Sequence, residues 1–258
     1  MNVKAIVLFL FMISLIGVTG CMDAENKILS HVESTYDEEF EIENVKKGSI
    51  IFSEMYGKDK AIVHPKGNDE LVFLAGEYRD DEGKYYDSYV LSKWGEELKV
   101  SLQNVMKQEL PESPFKVVVY AKTGTYDASM IDTPFSEFVE KNKEHIRVMV
   151  VAAIHTDGEP DVDRYSDGIY NIYKEVSQLG AERYGVSVGF VDKSEDISDY
   201  IRTANVNNIA WSNLDAKLFG YLSIDERVNP ENQNPRVDKK LLLTGPDAVV
   251  NHYKVLGE

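Results

Sequence analysis

The chain has 258 residues, 43% of them hydrophobic and 10% aromatic, with 28 Lys and Arg against 44 Asp and Glu, a formal charge of −16. That length and apolar content suit a globular body of one large or two small domains and exclude a disordered chain. The acidic balance excludes a nucleic-acid binder, which needs cations to displace phosphate counterions. A lone cysteine, Cys21, excludes an internal disulfide and a cluster of metal-binding thiolates.

The first element is an apolar run from Ala5 to Val18, broken only by Ser14 and Gly17 and preceded by Lys4. As a helix it would reach about 21 Å, short of a bilayer core of about 30 Å. It has the length of a signal-peptide apolar region, with small residues after it. Val18-Thr19-Gly20-Cys21 then places an aliphatic residue and two small ones before the only thiol. This stretch resembles the lipobox of bacterial lipoproteins. The resemblance implies cleavage after Gly20, a diacylglycerol on the Cys21 sulfur and an acyl group on its new amino terminus. The alternatives are a plain secretory signal with an incidental cysteine, or a short anchor left uncut. Cleavage would remove Lys4 and no acid, so 28 basic residues become 27 against 44 acidic, a charge of −17. An anionic leaflet repels such a body within a Debye length. Two acyl chains hold stably where one is marginal. The lipid bilayer is thus an expected partner through Cys21, at the extracytoplasmic face of the cell membrane.

Residues 21–25 form a short tether, and 26–125 read as an N-terminal α+β lobe. Asn26 to Tyr36 predicts a helix with Ile28, Leu29 and Val32 on one face. Phe40 and Ile42 alternate with Glu39, Glu41 and Glu43, the pattern of a half-buried strand. Ser49–Tyr56, Lys60–His64 and Glu70–Tyr78 continue as strands, separated by Gly57-Lys58-Asp59 and Pro65-Lys66-Gly67-Asn68 turns. Tyr85–Leu91 extends this antiparallel meander. Trp94, Leu98, Leu102, Val105 and Met106 mark a helix stopped by Pro111, and Phe115–Ala121 is a β-branched strand.

Lys122–Thr133, polar and containing Gly124, reads as the boundary before a C-terminal α+β lobe at 134–258. Thr133-Pro134 suggests a helix cap with proline in the first turn, followed by Phe135, Phe138 and Val139. Ile146–Ile154 is a near-continuous apolar run, the mark of a central strand. His155–Ser166 is an acidic loop, Asp167–Tyr184 an amphipathic helix, and Val186, Val188 and Phe190 a strand. A short helix at Glu195–Ala204 and strands at Lys217–Ile224 and Lys239–Thr244 complete the chain. Ile28, Leu29, Val32, Phe40 and Ile42 echo Ile172, Tyr173, Val176, Tyr184 and Val186 at an offset of 144. Any two helix–strand pairs match this well, so duplication into two similar helix–sheet lobes stays open. The fold class is α+β, antiparallel sheet packed with a few amphipathic helices.

The chemical motifs are weak. Gly185-Val186-Ser187-Val188-Gly189 fits G-x-S-x-G, but a nucleophilic serine needs a strand-to-helix turn, and here the motif lies inside a strand after a helix. Asp157, Glu159, Asp161, Asp163 and Asp167 are the densest carboxylates. Calcium would need several oxygens on a flexible loop. Counted from Asp157, EF-hand positions six and twelve hold Val162 and Gly168, and from Asp161 they hold Ser166 and Ile172. These five are weak metal candidates, and the plainer reading is a polar loop favouring the positive end of a helix. The five histidines, His31, His64, His145, His155 and His252, show no zinc spacing. Tyr85, Tyr86 and Tyr89, with Trp94 nearby, read as core or, if exposed, as a stacking surface.

The junction Tyr36-Asp37-Glu38-Glu39-Phe40-Glu41-Ile42 resembles that of small prophage-associated lipoproteins of Bacillus-type genomes. The resemblance implies location and anchoring and carries no catalytic residue or cofactor. A binding or interaction protein at the cell surface, with a protein or cell-wall partner, is the leading expectation. An extracytoplasmic hydrolase and a solute-binding lipoprotein of a transporter are the alternatives.

Overall fold

The computed structural model describes residues 24–48, 57–207, 210–232 and 234–256. The lipobox with Cys21 and the strand expected at 49–56 lie outside the described residues. The chain divides into two compact units, Met1–Tyr89 and Val90–Glu258. Helices and two mostly antiparallel sheets make the fold α+β.

In the N-terminal unit, helix α1 (residues 24–36) precedes β1 (Phe40–Lys46), β2 (Lys60–Pro65), β3 (Phe73–Glu77) and β4 (Tyr85–Asp87). These strands form an antiparallel meander in chain order. Helix α1 includes residues 24 and 25, assigned above to the tether. Ile28 and Val32 are buried, as their shared face required. Glu43 is an extra residue in β1: Ile42 faces Val63 while Asn44 faces Ile62, the pattern of a β-bulge. Phe40, Phe73 and Tyr89 pack with ring centroids 4.8–5.5 Å apart. The fourth strand ends earlier than expected. The Asp87 carboxylate accepts a hydrogen bond from the Tyr89 amide at 3.0 Å, and a helix begins where strand was predicted at 89–91.

That helix, α2 (Tyr89–Glu109), carries Trp94, Leu98, Leu102 and Met106 into the core of the C-terminal unit. The unit continues with β5 (Phe115–Ala121), α3 (Phe135–Asn142), β6 (Ile146–Thr156), α4 (Asp163–Ser177), β7 (Arg183–Asp192), α5 (Ser198–Arg202), β8 (Leu218–Asp225) and β9 (Tyr253–Val255). The sheet order is β5-β6-β7-β8-β9. Only β6 and β7 are parallel, and α4 is the crossover such a pair needs.

Residues 122–133 are no domain boundary: β5 pairs with β6 across them from Phe115↔Ala152 to Ala121↔Ile146. The division falls after Tyr89 instead. Pro134 precedes α3, and Thr133 offers no side-chain cap; the Glu97 carboxylate accepts from the Phe135 amide at 3.1 Å. Helix α4 starts and ends earlier than predicted. Gly180 turns the chain at φ +89, a conformation natural to glycine after a helix, and Arg183-Tyr184 open β7. Lys239–Leu241 is a 3-10 turn, capped by Asp238 accepting from the Lys240 amide. The last strand is instead β9, too short to show an alternation.

One face of the C-terminal sheet presents Val148, Val150, Val186, Val188 and Phe190, all buried. Helix α4 covers it, with Tyr165 against Phe190 and Tyr173 against Tyr184. The opposite face is covered over part of its length. There Met149, Val151, Ala153 and Val191 pack with Ile197, Ile201, Ala204 and Trp211.

Candidate functional site: a cationic concavity on the C-terminal sheet

Strand periodicity places every second residue on one face. On the partly covered face these are Arg147, Met149 and Val151 of β6, and Arg183, Gly185, Ser187 and Gly189 of β7. Arg147 lies level with Arg183, Met149 with Gly185, and Val151 with Ser187. The outer neighbours continue the rows: Tyr120 of β5 faces Arg147, and Ser223 of β8 faces Ser187. Among the described residues cover ends at Trp211, and beyond it the face opens into a concavity of about 730 Å³. Tyr120, Lys122, His145, Arg147 and Arg183 line one end; Met149, Val151, Ser187 and Ser223 line the rest.

The lining holds three permanent cations and no carboxylate, in a chain of charge −16. Two acids stand close to it, and one of them, Asp225, is level with Gly185 on the same face. Glu144 lies 3.4 Å from the His145 ring, and Asp225 lies 3.9 Å from the Arg147 guanidinium. Asp225 is already engaged by Arg227, whose Nε and Nη2 donate to it at 2.9 and 2.6 Å. Burial pushes the Asp225 carboxyl up, but those bonds outweigh it and hold the group below the usual range. Arg147 is thus weakly partnered, and its Nε is buried without an acceptor among the described residues. A buried donor left unpaired costs about 1–3 kcal/mol. Among the described residues Arg183 makes only a 3.4 Å bond to the Glu144 carbonyl. Such a site can bind an anion by charge-assisted hydrogen bonds and seat an apolar group on Met149 and Val151.

The G-x-S-x-G stretch has a packing reason. A Cβ at Gly189 would meet the Trp211 ring, so the glycine lets the indole lie on the strand. The indole Nε1 donates to Ser187 Oγ at 2.9 Å. A Cβ at Gly185 would lie 2.5 Å from the Ile224 carbonyl and 3.0 Å from Met149 Sδ. Ser187 sits in mid-strand, with no turn to expose it as a nucleophile.

The five carboxylates considered for a metal do not converge. All are exposed. Asp157 holds Lys193 at 2.6 Å, Asp163 opens α4, and Asp167 is a turn further on. Among the described residues no group of three His, Cys, Asp or Glu could hold a metal ion. Tyr89 is core, Tyr85 stacks on His31 at 5.2 Å, and Tyr86 packs on Tyr78. Trp94 stacks on Phe138 at 4.2 Å in the C-terminal unit. Sequence reasoning missed Lys122, Arg147, Arg183 and Ser223. The available signal was a basic residue at the start of each of two apolar strands, Ile146-Arg147-Val148 and Arg183-Tyr184. Only the parallel register brings the two together.

No protein-family model matches the chain, and no curated protein matches it. Its fold is similar to a crystal structure of a DUF5037 family protein from Ruminococcus gnavus, with a TM-score of 0.53 and 14% identity over 77% of this chain and 88% of that one. At that identity the likeness shows the fold alone.

Proposed function

We propose that this protein is a lipid-anchored binding protein at the extracytoplasmic face of the cell membrane, and that the concavity is its site for an anionic ligand. The observation that carries the binding reading is three permanent cations lining the concavity without a carboxylate, against a chain charge of −16. Random surface placement in so acidic a chain would mix acids into the lining. The apolar middle of the site and its volume, within the range of small-molecule pockets of about 300–1,000 Å³, favour a small organic ligand. The anchoring reading rests on Val18-Thr19-Gly20-Cys21. No described helix is long and apolar enough to cross a membrane, and a lipid on Cys21 needs none.

Two measurements test this. Mass spectrometry of the native N-terminus should find a diacylglyceryl Cys21, and Cys21→Ala should move the chain from the membrane to the soluble fraction. Calorimetric titration of the full chain in detergent with citrate, alkyl carboxylates and alkyl phosphates should give binding by at least one of them. No heat from any anion would sink the binding reading.

A further inference from the structure

We infer that the ligand is a phosphate monoester of a short, partly apolar alcohol; this rests on the anion-binding reading above. The charge at the site argues for a dianion. Lys122, Arg147 and Arg183 bring three permanent charges with no acid in the lining. A phosphate monoester carries about −1.5 to −2 at neutral pH, and a carboxylate only one charge. The geometry argues for a tetrahedral group. Arg147 and Arg183 are level across the parallel pair, and adjacent strands lie about 4.8 Å apart. Two guanidinium forks at that spacing can hold different oxygens of one phosphate, each by paired bonds. The buried Arg147 Nε, which has no acceptor among the described residues, is one of the donors such a group would satisfy.

The rest of the site describes the rest of the ligand. One row along from the arginines, Met149 lies level with Gly185. Val118 and Met149 make this row apolar on one side, the glycine adds no side chain to fill it, and at the β8 edge it ends on Asp225, whose carboxylate is held by Arg227. The next row holds Val151, Ser187 and Ser223, four residues or about 13 Å along the strands from the arginines. Ser187 Oγ already accepts from Trp211, so its own proton is available to a ligand acceptor. The lining along the trough runs cationic, apolar, hydroxyl, with the Asp225–Arg227 pair at the β8 edge of the apolar row. A phosphate head, a short carbon segment and a distal oxygen follow the same order. Two sources share this chemistry: a soluble organic phosphate, and a lipid with a phosphate monoester head.

The test is titration of the full chain in nonionic detergent with hexyl phosphate, hexanoate, succinate and inorganic phosphate. Hexyl phosphate should bind most tightly, about tenfold or more better than each of the others. Arg183→Gln, at an exposed position that cannot disturb the core, and Arg147→Lys, which keeps the charge but loses the fork, should each weaken it about ten- to hundredfold. Ser223→Ala should weaken it severalfold. Hexanoate or succinate binding as well as hexyl phosphate would overturn the phosphate assignment and leave the anion-binding reading standing. Silence from all four, with citrate also silent, would overturn both. Flotation of Cys21→Ala protein with phosphatidic acid vesicles, set against phosphatidylglycerol vesicles, assigns the source. Recruitment to the first alone supports a lipid head. Hexyl phosphate binding without recruitment supports a soluble ester.

Discussion

Among the described residues the N-terminal sheet pairs every strand with its chain neighbour, and the Phe40 ring it projects meets Tyr36 of α1 and the rings of Phe73 and Tyr89. The C-terminal sheet sets β6 beside β7 in parallel, and its faces are treated differently. Helix α4 covers one. Among the described residues the other is covered where the segment from α5 to Ala216, with Trp211, reaches, and the remainder carries the arginines. The half-covered face is therefore where the C-terminal unit has room for a ligand. Half-covered faces of buried sheets need side chains that tolerate both packing and water. Arginine meets that need with its apolar stem and hydrated head.

The largest test of the comparison truncates each core. Phe73→Ala and Phe190→Ala both remove fully buried rings and should each cost about 3–5 kcal/mol by denaturant unfolding. If the two units are energetically separate, Phe73→Ala leaves anion binding intact while Phe190→Ala weakens it. Loss of binding in both variants would break the comparison.

A smaller effect should come from Gly189→Ala. The added methyl would meet the Trp211 ring and should cost about 1–3 kcal/mol by overpacking. It should also shift the tryptophan emission, because the bond from Trp211 to Ser187 is disturbed. Unchanged emission and stability would remove the explanation offered for the motif.

His252 supplies a pH test confined to the C-terminal unit. Burial holds its pKa below the ordinary 6.5, although the Leu241 carbonyl and Asp225 oppose this and Lys254 adds to it. The unfolded chain therefore binds the proton more readily. Stability from this group is complete above about pH 6.5 and falls as pH drops toward the lowered folded value. Urea midpoints measured from pH 7.5 to 5.5 should decline, and His252→Gln should flatten that slope. An equal slope in the variant would refute the assignment.

The smallest effect is expected at the acidic loop. Asp157 and Lys193 are both exposed, and such pairs contribute little. Asp157→Ala and added chelator should leave the thermal midpoint within error. A chelator-dependent drop would restore a metal to this loop.

Legibility followed the range of the interactions. Asn26–Tyr36, Phe115–Ala121 and Ile146–Ile154 were readable because their patterns are local: a 3.6-residue apolar stripe, a β-branched run and an unbroken apolar run. Errors came where a single side chain or a partner strand decided the outcome. Asp87 turned a predicted strand into a helix start, Asp238 made a turn of residues 239–241, and Gly180 ended α4 early. At the site, the mid-strand context of Ser187 already argued against a nucleophile, but the packing role of its glycines was not legible. Its motif marks a seat for an indole 24 residues away.

By itself the sequence determined the α+β class, the acidic character and the expectation of an anchor at Cys21. Those depend on composition, periodicity and a short contiguous motif. Only the tertiary structure decided that Arg147 and Arg183 stand side by side and that Gly189 receives Trp211. Each of these depends on the register between strands far apart in the chain. Moving β7 by one residue would turn Arg183 and Ser187 to the opposite face, and no local pattern in either strand encodes that choice.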